Sequence, residues 1–433
     1  MEALLSLSIA IMSGLMLSRL AKLVKLPAVT AYLVAGILIG PYVLGQLGVG
    51  GLGFTSLENV KSFSIICDVA LGFIAFSIGN EFRLSQLKKT GKAATVIGIF
   101  QAIITTLLVD AALIGLHFIL GEDKLPLSTA IVLGAIASAT APAATLMVIR
   151  QYKAKGPVTD ILLPVVALDD AVGLVLFAIS FGVAKAVSSG SVDLISVILE
   201  PVLEVVLSLL LGLVMGLLFS FLERFFHSNT KRLCMSAAFV LLTVALSMLE
   251  FTVMGVHIAF SSLLVCMMMG TIFCNVCDFS EELMGRVDKW AQPILVLFFV
   301  LSGAELELSV FADIAIVAIG VVYIIARSVG KYSGAFLSSK AMKCEDNIVK
   351  YLGITLLPQA GVALGMALKA HALGPAGEVA ANITLFAVLI YELVGPLLTK
   401  IALTKAGDIK PEGATSARNK KNIENKVSEQ STN

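Results

Sequence analysis

Charge is what this sequence is poorest in. Only 14% of its 433 residues are Asp, Glu, Lys or Arg, while 58% are hydrophobic; a soluble domain carries about 25% charge. A chain so composed, with a mean hydropathy of +0.96, cannot cover a water-facing surface, which excludes a soluble globular protein. Other absences narrow the field. The first apolar run has no basic region before it and no small-residue cleavage pattern after it, so it reads as a retained span, not a signal peptide. No nucleotide-binding loop and no soluble catalytic domain interrupt the apolar runs, which argues against an enzyme. The net charge of +1 gives no reason to expect a nucleic-acid partner. Cysteines are few and scattered, and Cys274-x-x-Cys277 has no second ligand pair nearby, so neither a zinc site nor another cofactor is expected.

What the sequence has is apolar runs of about 18 residues or more along nearly its whole length, the mark of transmembrane helices. Thirteen spans are predicted, at 3–20, 27–43, 62–80, 93–119, 126–149, 158–184, 193–222, 232–249, 255–273, 290–308, 312–338, 348–370 and 378–402. Residues 403–433 are polar and read as a disordered cytoplasmic tail. Basic residues set the orientation. Loops after odd-numbered spans hold 18 Lys and Arg, and loops on the other side hold four, Lys61, Lys124, Lys185 and Lys369. The N-terminus is therefore expected outside and the C-terminus in the cytoplasm.

A repeat runs through the spans. Gly79-Asn80-Glu81-Phe82-Arg83-Leu84-Ser85 and Gly303-Ala304-Glu305-Leu306-Glu307-Leu308-Ser309 share G-x-E-x-x-L-S. Asp170-Ala171-Val172-Gly173 and Glu392-Leu393-Val394-Gly395 share acid-x-V-G. Spans 5 and 12 each carry a proline, Pro142 and Pro358. All three matches are offset by seven spans, an odd number, so the halves are inverted in the membrane. Inverted repeats with helices broken at the midplane are a transporter signature.

The costly residues point the same way. Asp169 and Asp170 lie about twelve residues past Pro157, near the bilayer centre, where a carboxylate costs several kcal/mol and marks a functional site by default. Neighbouring helical side chains diverge by about 100°, so one acid faces the ion path and the other faces another helix. Ser138 and Thr140 supply oxygens beside the break at Pro142, a match for hard cations. Span 12 repeats the device at Pro358-Gln359. Arg327, deep in span 11, needs an acid partner. Asp169 is favoured over Asp170, Asp110 and Glu392, which leaves Asp170 free for a cation or a proton. Lys331, one turn further on, reads as snorkelling out to the cytoplasmic surface. Glu392 reads equally as a second buried acid or as a scaffold residue hydrogen-bonded near Pro396.

Taken together, Ser138-Ala139-Thr140-Ala141-Pro142-Ala143-Ala144-Thr145, Lys155-Gly156-Pro157, Ala167-Leu168-Asp169-Asp170-Ala171-Val172-Gly173, Gly303-Ala304-Glu305 and Tyr391-Glu392-Leu393-Val394-Gly395-Pro396 resemble the monovalent cation:proton antiporter family. The closest resemblance is to the bacterial Na+/H+ and K+/H+ exchangers, and it covers about residues 1–402. It implies an all-α membrane protein with two crossed broken helices. Core regions would lie at about 93–184 and 312–402, scaffold regions at about 1–92 and 232–311, and a linker helix at about 193–222. It further implies a homodimer in a cell membrane, expected to be a bacterial inner membrane, and an elevator-type motion. The family's essential aspartate falls on Asp170, the acid before it on Asp169, and its span-11 partner on Arg327. Many relatives have Asp where this chain has Ala141. Charge-moving relatives pair a double aspartate with lysine, and electroneutral ones pair Asn-Asp with arginine; Asp-Asp with Arg327 fits neither pattern.

Exchange of cytoplasmic Na+ for external protons leads. One carboxylate that holds either ion, never both, couples the two flows. K+ exchange by the same mechanism is the alternative, since no residue decides between the ions. A cation-coupled symporter of organic anions is opposed by the two acids, which repel an anion. An aspartyl protease would need its acids on facing helices.

Overall fold

The computed structural model describes residues 2–23, 26–48, 53–80, 82–189, 194–253, 256–277, 279–306 and 313–410. Among these residues it is an all-helical membrane architecture apart from one short pair of strands. The helices are α1 (Glu2–Leu23), α2 (Ala28–Ile39), α3 (Leu57–Lys61), α4 (Ser64–Asn80), α5 (Leu84–Leu120), α6 (Leu127–Ile136), α7 (Pro142–Tyr152) and α8 (Pro157–Ser189). They continue as α9 (Leu194–Glu223), α10 (Asn229–Ser247), α11 (Ser262–Val276), α12 (Ser280–Glu305), α13 (Ile314–Ala341), α14 (Asp346–Thr355), α15 (Gly361–Ala370) and α16 (Pro375–Lys405). Among the described residues nine helices are long and apolar enough to cross a membrane. Each of the thirteen predicted spans contains helix, but the fifth is split into α6 and α7, the twelfth into α14 and α15, and α4 and α11 are shorter than a full span.

Several boundaries differ from the sequence reading, among them α12, which begins at Ser280, ten residues before the predicted tenth span. The sequence predicts a ninth span from 255, but Phe251–Val253 and Val256–Ile258 pair antiparallel and α11 begins only at Ser262. The β-branched residues Thr252, Val253, Val256 and Ile258 favour that extended pairing over helix. α5 begins nine residues before the predicted fourth span, and at 37 residues it is roughly 55 Å long.

The buried side chains sort into groups. One surrounds the broken helices and includes Val109, Leu133, Phe177, Tyr323 and Ile383. Another is aromatic, with Phe76, Phe219, Phe239 and Phe273 from α4, α9, α10 and α11; the Phe219 and Phe273 rings stack 4.5 Å apart. Large apolar side chains left exposed, such as Val206, Leu210, Val214, Leu217 and Phe221 along α9, form the surface a lipid would cover.

Close backbone approach brings α13 against α5. Gly330 and Gly334 form a G-x-x-x-G pair, the spacing that lets helices meet in membranes. A Cβ on either would stand 2.8 Å from the Cα of Thr105 or of Gln101. At the start of α8, Asp408 from the segment after α16 accepts from the Thr159 backbone N–H (2.7 Å) and hydroxyl (2.8 Å). It thus caps the helix that carries Asp169.

Candidate functional site

The two breaks meet. Residues 137–141 separate α6 from α7, and residues 356–360 separate α14 from α15. The Ala141 N–H donates to the Pro358 carbonyl at 2.9 Å, joining one break to the other. Pro142 occupies the first turn of α7, where its missing N–H leaves nothing unpaired. Gly395 of α16 fits against Pro358 so closely that a Cβ there would lie 2.9 Å from the proline Cα.

Each break leaves the last carbonyls of a half-helix without intrahelical donors and with the negative end of a dipole. Buried side chains answer both. Arg327, fully buried, donates from Nε to the Ala137 carbonyl (2.9 Å), from Nη2 to Ala139 (2.6 Å) and from Nη1 to Leu357 (2.7 Å). Its guanidinium also lies over the Tyr391 ring, 4.4 Å from the centroid. The Gln359 amide donates to the Ile136 carbonyl (2.9 Å) and to the Tyr323 hydroxyl (3.0 Å).

Asp169 lies at the same crossing, fully buried. One oxygen accepts from the Gln101 amide; the other accepts from the Thr140 hydroxyl and from Lys331 Nζ at 2.7 Å. Lys331 also donates to the Thr140 hydroxyl (2.8 Å) and to the Ser138 carbonyl. Two residues depart here from what the sequence predicts. The ion-pair partner of Asp169 is Lys331, not Arg327, because Arg327 spends its donors on three carbonyls. Lys331 does not snorkel: it is fully buried and lies ten residues before the end of α13. That is roughly 15 Å, beyond the reach of a four-carbon stem.

The other residues singled out fall as follows. Thr140 touches Asp169. The Ser138 hydroxyl turns back to its own helix, donating to the Ala135 carbonyl at 2.7 Å, so Ser138 gives the site its carbonyl. Asp170 is helical in α8, but its side chain lies outside the described residues, as do Glu81 and Glu307. Glu392 is 7% exposed and its Oε2 has no hydrogen-bond partner, which fits the buried-acid alternative. Asp110 packs against Gly134, where a Cβ would meet its Oδ1 at 1.7 Å. Gln101 was missed. The signal for it was a lone amide in an apolar helix, opposite the Gly330-x-x-x-Gly334 face of α13.

Two cavities flank the crossing, at opposite ends of α4 and α12. One, about 780 Å³, is lined by Asn80, Arg150, Lys155, Thr159, Glu281 and Asp288. The other, about 620 Å³, is lined by Asp68, Ser302, Glu305, His371, Asn382 and Glu392. Beside the first, Arg150 of α7 pairs with Asp288 of α12 at 2.9 Å, and Ser77 of α4 donates to the same carboxylate at 2.9 Å.

Crossed broken helices around a buried, cation-paired carboxylate, in a multi-pass helical bundle, define a membrane transport protein of the monovalent cation:proton antiporter superfamily. Within it, residues 7–405 match the transmembrane sodium/hydrogen exchanger family, and the chain belongs to that family. The fold is similar to that of the sodium proton antiporter MjNhaP1 from Methanocaldococcus jannaschii at pH 8, with a TM-score of 0.66, 20% identity, and 94% of this chain and 99% of that chain covered. A second structure of MjNhaP1, an electron-microscopy map, has the same TM-score and identity and covers 94% and 98%. Among curated proteins, K(+) efflux antiporter 2, chloroplastic, of Arabidopsis thaliana is 31% identical over 125 residues, 28% of this chain and 9% of that protein. K(+) efflux antiporter 5 of the same plant is 33% identical over 82 residues, 18% of this chain and 12% of that protein. The chain thus matches about a tenth of the length of these curated relatives.

Proposed function

We propose that this chain is a secondary transporter exchanging a monovalent cation, Na+ first, for protons. The observation that carries the reading is Asp169, buried at the crossing of two broken helices and paired with Lys331. A charge so expensive to bury is retained where it serves transport. Asp170, next along α8, is the carrier: it holds a cation or a proton in turn, while Lys331, Thr140 and Gln101 fix Asp169 beside it. The cavities at opposite ends of α4 and α12 support alternating access. In that motion α5 to α8 and α13 to α16 slide as a core against a scaffold of α1 to α4 and α10 to α12, with α9 as the link. The Arg150–Asp288 pair would join core to scaffold in the present state. The scaffold pairs two copies into a homodimer. The N-terminus lies outside and the C-terminus inside, so the cavity beside Arg150 and Lys155 opens to the cytoplasm.

The revised ion pair also bears on stoichiometry. A double aspartate with Lys331 fits the pattern of charge-moving exchange in the family that the motifs resemble. K+ is the second reading, favoured by the stretch shared with the plant K(+) efflux antiporters. The test is reconstitution into liposomes, reading internal pH as Na+, K+ or Li+ is added. Asp170→Asn is expected to abolish cation-driven proton movement; exchange retained by that variant would remove Asp170 from its role. With Na+ as the driving ion, faster exchange when valinomycin and K+ clamp the voltage is expected for a charge-moving cycle.

A further inference from the structure

The 620 Å³ cavity lies between α4 and α12 on one side and α15 and α16 on the other. Three carboxylates line it: Asp68 of α4, Glu305 of α12 and Glu392 of α16. Glu305 is within electrostatic reach of both Asp68 and Glu392. The basic groups lining the same space are Lys61 and His371, so with a neutral histidine the lining carries an excess of negative charge.

Glu392 is the member that calls for a ligand. It is 7% exposed and lines the cavity, yet its Oε2 meets no donor. Elsewhere this chain answers its buried carboxylates: Asp169 has donors in Gln101, Thr140 and Lys331, Asp408 has Thr159, and Glu223, whose Oε1 makes no hydrogen bond, still meets the charge of Arg232 at 2.7 Å. Asp110 also leaves an oxygen unpaired, but it is wedged against Gly134 and lines neither of the two large cavities. A buried carboxylate oxygen without a donor costs several kcal/mol unless a proton or a counter-charge meets it. The carboxylates and the Asn382 amide are the oxygen ligands that hard cations take. The inverted repeat adds independent weight, because Glu392 matches Asp170 and Glu305 matches Glu81.

We propose that this cavity is a second cation-binding station, a vestibule that holds an alkali-metal cation against Glu392, with Glu305 and Asp68 drawing it in from the surface opposite the Arg150 cavity. The proposal rests on the exchange reading and deepens it by giving the cation a waiting site on that side.

Binding tests it apart from transport. In a background of Asp169→Asn with Asp170→Asn, the purified full chain is heated in detergent with NaCl, KCl or choline chloride at equal ionic strength. Na+ or K+ is expected to raise the unfolding midpoint above choline. Adding Glu392→Gln should cut that rise at least threefold, and adding Glu305→Gln by a smaller factor. No rise over choline in the background, or a rise untouched by Glu392→Gln, overturns the proposal. Should the Glu392→Gln protein not fold, Asn382→Ala and Glu305→Gln are read the same way, and a rise untouched by both overturns it equally. An intact chain that binds here yet moves no protons would refute the exchange reading and leave the station standing.

Discussion

Lys331 and Arg327 stand one turn apart on α13, and a double-mutant cycle separates their work. The variants are Asp169→Asn, Lys331→Met and Arg327→Met, alone and as Asp169 with each cation. At the 2.7 Å separation of Lys331 Nζ and Asp169 Oδ2, an effective dielectric of about 20 gives roughly 6 kcal/mol of direct attraction. Part of this is offset, since Thr140 and the Ser138 carbonyl also hold the ammonium. A coupling of about 2–5 kcal/mol is expected, the range of buried charge pairs. Arg327 makes no ion pair with Asp169, and its donors go to carbonyls, so its coupling to Asp169 should be less than half as large. Arg327→Met alone should still destabilise strongly, because each buried carbonyl left without a donor costs about 1–3 kcal/mol. The assay is equilibrium urea unfolding in mixed micelles. A coupling of Arg327 to Asp169 equal to that of Lys331 would refute the reasoning.

Two further perturbations read the supports of the site. Asp408→Ala removes the cap of α8 and should cost about 1–3 kcal/mol, while Asp408→Asn keeps an acceptor and should cost less; equal losses in thermal unfolding would show that the hydrogen bonds to Thr159 contribute little. Gly334→Ala places a Cβ 2.8 Å from the Gln101 Cα and should cost about 1–3 kcal/mol and slow exchange, whereas Gly115→Ala, with nothing within 4 Å, should be neutral or slightly stabilising; similar behaviour of the two variants would remove the close approach of α5 and α13 as a requirement.

The breaks were legible in the sequence because proline and a run of small residues leave few alternatives in an apolar helix. So was the burial of Asp169, since a carboxylate in the middle of a long apolar helix has to be enclosed by other helices. What could not be read was which cation serves which acid. Arg327 and Lys331 share a helix face, and a sequence shows their spacing but not the carbonyls opposite them. Those carbonyls belong to Ala137, Ala139 and Leu357, residues with no polar side chain to announce them. Gln101 was hidden for a related reason: its place beside Asp169 depends on the Gly330 and Gly334 contact, a property of two helices read together. The pair of strands within 251–258 was missed because a short apolar run favours strand and span alike.

The division of labour between the two cations has a physical basis. A guanidinium is planar, carries five donors and stays charged at any accessible pH. At Arg327 it ties the C-terminal ends of α6 and α14 together through three carbonyls. An ammonium is a point charge on a flexible stem with donors that swing among partners. At Lys331 it spans Asp169, Thr140 and Ser138, and it is the group that can shift when the charge beside it changes. Under the proposed exchange, a site that loads and unloads at a fixed geometry needs both kinds of cation. Exchanging them, as Arg327→Lys with Lys331→Arg, would give the flexible charge to the frame and the rigid one to the acid.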